Sequence, residues 1–229
     1  MKRTYVFFFN ALLVLIAQNS GAQSNIAQSS PSQDTLRTYG LRVGTDLSRA
    51  AYFFADPPET GAEISADFEL IRNLYPTVEA GFGRQDLEQE LYSYRSSGTY
   101  FRAGVDYNFI PAPSRDVHHM IYGGVRYGIA FFSHSASDIL IENDIWGDYA
   151  IENYENSLTG NWFGLVGGIK TEILPNFFLG WSVRYRILLN PDMDPQVKPF
   201  YIPGFGNGTE DNALGFTYTI SYKIPFFKK

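Results

Sequence analysis

The sequence predicts an all-β protein: an eight-stranded antiparallel up-and-down transmembrane β-barrel with short periplasmic turns and long extracellular loops. Three observations predict it. Eight stretches alternate residue by residue between an apolar and a small or polar face, the period of an extended strand. The apolar faces carry almost no charge, whereas the polar faces hold Gly, Ser, Thr and balanced charges, which suits a narrow closed barrel with lipid outside. The connections alternate short and long on an even strand count, as in bacterial outer-membrane barrels.

The chain opens on an export signal, residues 1–22. Lys2 and Arg3 precede the apolar stretch Val6 to Ala17, and Ser20-Gly21-Ala22 supplies small residues for cleavage. Residues 23–37 are polar and aperiodic and read as a flexible periplasmic leader. The barrel domain is 38–229. Without the signal, 16 basic residues face 24 acidic ones, a net charge of −8 that disfavours nucleic acid as a partner. There is no cysteine, so no disulfide staples the exported chain and no lipidated cysteine anchors it.

The strands follow in order. "YGLRVGTDLSR" (39–49) sets Leu41, Val43 and Leu47 against Arg42, Gly44 and Asp46, and "AEISADFELI" (62–71) sets Ile64, Ala66 and Phe68 against Glu63, Asp67 and Glu69. "TVEAGFGRQ" (77–85) places Val78, Ala80 and Phe82 opposite Glu79. "TYFRAGVDYNF" (99–109) places Phe101, Ala103, Val105 and Tyr107 opposite Arg102 and Asp106. "MIYGGVRYGIAFF" (120–132) carries Arg126 on its polar face, "NWFGLVGGIKTEI" (161–173) Lys170 and Glu172, and "FFLGWSVRYRILL" (177–189) Arg184 and Arg186. The last strand, "LGFTYTISYKI" (214–224), has Leu214, Phe216, Tyr218, Ile220, Tyr222 and Ile224 on one face and Lys223 on the other. Tyr222, Phe226 and Phe227 would join a periplasmic aromatic girdle. Short connections fall at 72–76, 110–119 and 174–176; the longest are 133–160 and 190–212.

Fourteen charges share the inward register: Arg42, Arg102, Arg126, Lys170, Arg184, Arg186 and Lys223 against Asp46, Glu63, Asp67, Glu69, Glu79, Asp106 and Glu172. Eight strands leave an interior that side chains fill, and charges buried there must pair. A salt-bridge network that plugs the lumen is therefore expected, and no pore.

Chemistry has few other places to reside. His134 and Ser135 at the end of the fifth strand offer a base and a hydroxyl, but neighbours on a strand point to opposite faces. No third acid and no Gly-x-Ser-x-Gly elbow accompanies them, so no catalytic residue is assigned and no enzyme is expected. His118 and His119 lack the further ligands a metal needs, so no metal or other cofactor is expected. The acids of 137–156 do not follow the spacing of a calcium loop; a solvated acidic surface is the default, with divalent-cation binding left open. In 190–212, four prolines surround Phe200, Tyr201, Ile202 and Phe205, which are costly to leave in water. They predict a loop folded onto the barrel rim or a partner-contact surface.

"YGLRVGTDLS", "MIYGGVRYGIAFFSH", "GGIKTEILPNFFLGWSVR", "FYIPGF" and "GFTYTISYKIPF" resemble a Bacteroidota family of small outer-membrane β-barrels catalogued as a domain of unknown function. The resemblance spans 38–229 and implies fold and an outer-membrane location with both termini periplasmic, and no activity. Asp34-Thr35-Leu36 resembles that phylum's short O-glycosylation motif, which would make Thr35 the acceptor. The terminal strand resembles the signal read by barrel-inserting machinery. The expected role is structural or accessory, with outer-membrane lipid and lipopolysaccharide as surroundings and a larger assembly or secretion complex as partner. The alternatives are a lipid-modifying barrel enzyme centred on His134 and a secreted, soluble ligand-binding barrel.

Overall fold

The computed structural model describes residues 38–48, 59–89, 92–110, 119–141 and 149–228. The signal, the leader with Thr35, and His118 lie outside them. Eight long strands form one closed barrel: β1 (Thr38–Asp46), β2 (Glu59–Phe68), β3 (Leu74–Gln89), β4 (Tyr92–Asn108), β5 (Met120–Ile141), β6 (Tyr149–Leu174), β7 (Phe177–Leu188) and β10 (Asn212–Lys228). Each pairs antiparallel with its sequence neighbour, and β10 closes on β1. Two short strands, β8 (Tyr201–Ile202) and β9 (Gly206–Asn207), make a small hairpin between β7 and β10.

The alternation read from the sequence sets the faces. On β5, Tyr122, Arg126, Ala130 and Phe132 are buried inside, while Ile121, Val125, Tyr127 and Phe131 are exposed outside. A water-soluble protein rarely exposes so many large apolar side chains in one continuous band.

Strand lengths depart from expectation. β2 stops at Phe68 rather than 71, and β3 already starts at Leu74. Most of the expected loop 133–160 is strand: β5 runs on to Ile141, and β6 begins at Tyr149. β4 likewise starts at Tyr92 instead of Thr99. The barrel therefore has one even end, where the tight turns lie, and one ragged end where β3 to β6 reach far beyond β1, β2 and β7. The seam between β1 and β2 is thin: only Leu41 to Thr45 pair across it.

Two of the tight turns share one device. Asn73 and Asn176 each adopt φ of 66°, the left-handed region that Asn tolerates better than most residues. In the first turn Glu69 accepts a hydrogen bond from the Asn73 backbone N at 3.2 Å; in the second Glu172 accepts one from Asn176 N at 2.6 Å. The spacing Glu-x-x-x-Asn is the sequence trace of both turns.

Candidate functional site

The barrel interior is where the described residues concentrate most of their buried polar groups. Inward positions on seven strands, β1 to β7, bring nine of the fourteen expected lumen charges together. Nearest the turn end, Asp67 lies between Arg42 (Nε at 2.6 Å) and Lys170 (Nζ at 2.7 Å). Aromatic faces cover both cations: Arg42 lies 4.8 Å from the Tyr75 ring centre, and Lys170 lies 5.1 Å from that of Tyr122.

Above this layer, three arginines and three acids interlock. Arg126 holds Asp106 through one hydrogen bond, Nη2 to Oδ2 at 2.9 Å, and an ion-pair contact of 2.8 Å from Nη1 to Oδ1. Glu79 sits among Arg102 (2.7 Å), Arg184 (3.2 Å) and Arg126 (3.4 Å). Glu63 pairs with Arg102 and with Arg184 at 3.1 Å, and takes the Tyr100 hydroxyl at 2.6 Å. All of these charges are buried, and each acid faces at least one cation. A polar cavity among them holds about 20 Å³, room for roughly one water molecule.

The other five expected lumen charges do not join this network. Glu69 and Glu172 serve the turns, and Glu69 lies beyond the end of β2. Asp46 accepts hydrogen bonds from Ser48 N (2.9 Å) and Ser48 Oγ (2.5 Å). Arg186 donates upward to the carbonyl of Gly204 at 2.9 Å. Lys223 is half-buried and makes no close ion pair among the described residues.

The loop 190–211, expected either to fold onto the barrel rim or to offer a partner-contact surface, takes the first form. It folds into the barrel mouth instead of presenting its aromatics. Ile202 and Phe205 are 0% exposed and pack with Tyr100, Phe132, Trp162 and Leu188; Tyr201 is buried as well, and only Phe200 remains accessible, at 39%. Polar groups dock the same loop. Tyr94 Oη accepts from Phe200 N at 3.0 Å, Ser96 Oγ donates to the Tyr201 carbonyl at 2.9 Å, and the Tyr201 hydroxyl donates to Glu59 at 2.9 Å. Gly204 has φ of 77° and lies flat on the Tyr100 ring, where a Cβ would collide. Its carbonyl takes Arg186 and, more weakly, Arg102 at 3.4 Å. The loop is thus a plug seated on the charge network.

Asp194 ties the plug to the wall. Its carboxylate faces His134 Nε2 at 2.9 Å and accepts from the Tyr154 hydroxyl at 2.7 Å and Asn156 at 3.0 Å. The backbone N–H groups of Gln196 and Val197 add bonds of 2.9 and 3.2 Å. Burial pushes this carboxyl up, but the hydrogen bonds outweigh it and hold the group well below the usual carboxylate range. Removal from water and the same carboxylate push the Tyr154 phenol up.

Sequence reading found no acid for His134; Asp194, sixty residues away, is that acid. His134 is buried inside, its Nδ1 has no partner, and Ser135 stands on the opposite face. Ser96, across the strand from His134, spends its hydroxyl on Tyr201. Among the described residues, neither Ser135 nor Ser96 is thus a free hydroxyl beside His134. His119 is exposed, and no cluster of potential metal ligands occurs among the described residues. Within the acidic stretch 137–156, residues 142–148 lie outside the described ones.

Solved structures with the same architecture include Ail, the attachment invasion locus protein of Yersinia pestis (11% identity, 83% of this chain and 100% of that one, TM-score 0.44). Another is Neisserial surface protein A (12%, 82% and 96%, TM-score 0.41). A third is a major outer membrane protein from Thermus thermophilus (16%, 82% and 98%, TM-score 0.41). At these scores the likeness carries no inference about role. No curated protein matches the sequence. A family model does match, over residues 4–229, and by that match the chain belongs to the DUF6048 family, a domain of unknown function.

Proposed function

We propose that the chain is an integral outer-membrane barrel with a structural or accessory role, closed to permeation and without catalytic activity. One observation carries the membrane reading. The outward residues of β5 are apolar or glycine from Ile121 to Phe131 and then become Ser133, Ser135 and Ser137. Eleven residues of a strand tilted about 40° span about 25 Å, the height of a barrel's lipid-facing band. Neighbouring strands change at the same level, from Phe101 to Thr99 on β4 and from Phe163 to Asn161 on β6. The ragged end then faces the cell exterior, and the turns and both chain ends face the periplasm.

The interior supports the rest. Buried cations and acids are committed to each other, and the plug covers the outer mouth, so neither an ion path nor a substrate pocket is open. What stays available is the outside of the barrel and its long-stranded exterior end, which suits contact with lipid and with a larger membrane assembly. Carbonate extraction of cell membranes tests the location: the chain stays in the outer-membrane pellet, and recovery in the wash would overturn the reading. Crosslinking in intact cells followed by mild-detergent purification tests the accessory role. A specific co-purifying membrane partner is expected, and a chain that is always alone counts against it.

A further inference from the structure

The lipid-facing surface is not uniform. Across β2 to β4, three outward alanines, Ala66, Ala80 and Ala103, floor an apolar depression of about 400 Å³, and Ile64, Phe101 and Tyr127 rise as its walls. One level above the band, the same strands carry Arg84 and Arg95, both exposed. Asp86 holds them side by side, through Arg84 Nε at 2.6 Å and Arg95 Nε at 2.5 Å. This pairing leaves the trio one positive charge in excess. Among the described residues the Nη groups of both arginines make no hydrogen bond, and Ser97 lies beside them, paired with Arg84. Two outward guanidiniums thus stand where lipid headgroups lie, directly above a depression set at acyl-chain depth.

We propose that this face is a site for one phosphate-bearing lipid of the outer leaflet, with Arg84 and Arg95 on its phosphate and the alanine-floored depression taking an acyl chain. The assignment rests on the membrane reading above. Charge complementarity selects the occupant: an arginine pair prefers a phosphate, through its fork of donors, over a zwitterionic or neutral headgroup. The depression adds selectivity for shape, because a saturated chain fills a groove between bulky walls that a flat apolar wall would not offer.

Native mass spectrometry of the detergent-solubilised chain tests this with bis-phosphorylated, multiply acylated lipid A and the same lipid after phosphate removal. The intact chain should retain one phosphorylated lipid and bind the dephosphorylated form about tenfold more weakly, the loss that about one charge-assisted hydrogen bond implies. R84Q/R95Q, at two exposed positions, should bind both forms at the weaker level. A103L should weaken both forms while preserving the preference for phosphate. Equal binding by the arginine variant overturns the proposal, as does a dimer of this chain that A103L dissolves, since the depression would then seat a second copy. A barrel that resists carbonate and ignores the lipid defeats this inference alone; a chain found in the wash defeats the membrane reading with it.

Discussion

At the scale of single residues, the interior works by pairing nine of its buried charges with one another. Glu79 is the clearest case, because three arginines converge on it. Glu79→Gln leaves buried positive charge uncompensated and should cost about 3–5 kcal/mol, read as urea unfolding of the barrel in lipid vesicles. A loss under about 1 kcal/mol would show that the arginines find other acids. Asp194 gives a second prediction. Its folded carboxyl titrates below its unfolded value, so the stabilisation is complete above the ordinary carboxylate pKa, and it is lost as pH falls through the lowered one. The plug should therefore resist protease from neutral down to mildly acidic pH and loosen only under strong acid. Asp194→Asn should expose the loop to cleavage at pH 7, at a cost of about 1.5–3 kcal/mol. The inward register of the nine charges that meet in the lumen was legible from alternation alone. Asp194 was not, since it sits in a proline-rich segment with no period and meets His134 only after the plug has folded.

At the scale of elements, legibility followed the membrane. Where one face meets lipid and the other the lumen, the contrast between apolar and polar is strong, and all eight strands showed it. Beyond Phe131 the outward face turns polar with Ser133 and Ser135 while the inward face holds Phe132, His134 and Ala136, so the apolar-out, polar-in contrast is lost and strand resembles loop. That is why β5 and β6 were read as ending at the lipid boundary. The plug was half legible: Phe200, Tyr201, Ile202 and Phe205 signalled a need for cover, but only packing sites beside Tyr100 and Trp162 for Ile202 and Phe205, and beside Tyr94 for Tyr201, decided that three of them go inward. The paired turns yield a further test. Asn73→Gly and Asn176→Gly should be tolerated, whereas Val at either position should cost about 1–2 kcal/mol in the left-handed conformation. Thermal melts in detergent would show the difference, and equal melting of the Gly and Val variants would refute the turn assignment.

At the scale of the whole molecule, two barriers lie in series along the axis, the charge network below and the plug above. Planar-bilayer recordings should be silent for the intact chain. Deleting residues 196–208 should leave them silent, because the three arginines and three acids still fill the barrel; steady conductance after deletion would show that the plug alone seals it. The uneven wall has a different consequence, in time instead of permeability. β1 meets β10 from the far end of the chain, with Thr38 opposite Lys228, and meets β2 through only five residue pairs. Closing so long a loop is entropically late, and so thin a seam is the first to open. Amide hydrogens of Leu41 to Thr45 should exchange ahead of the long β5–β6 ladder, and a chain halted before β10 is made should stay an open sheet with two unpaired edges. The last contact of this wall's making, β1 on β10, and the first of its unmaking, β1 on β2, thus both belong to its shortest strand.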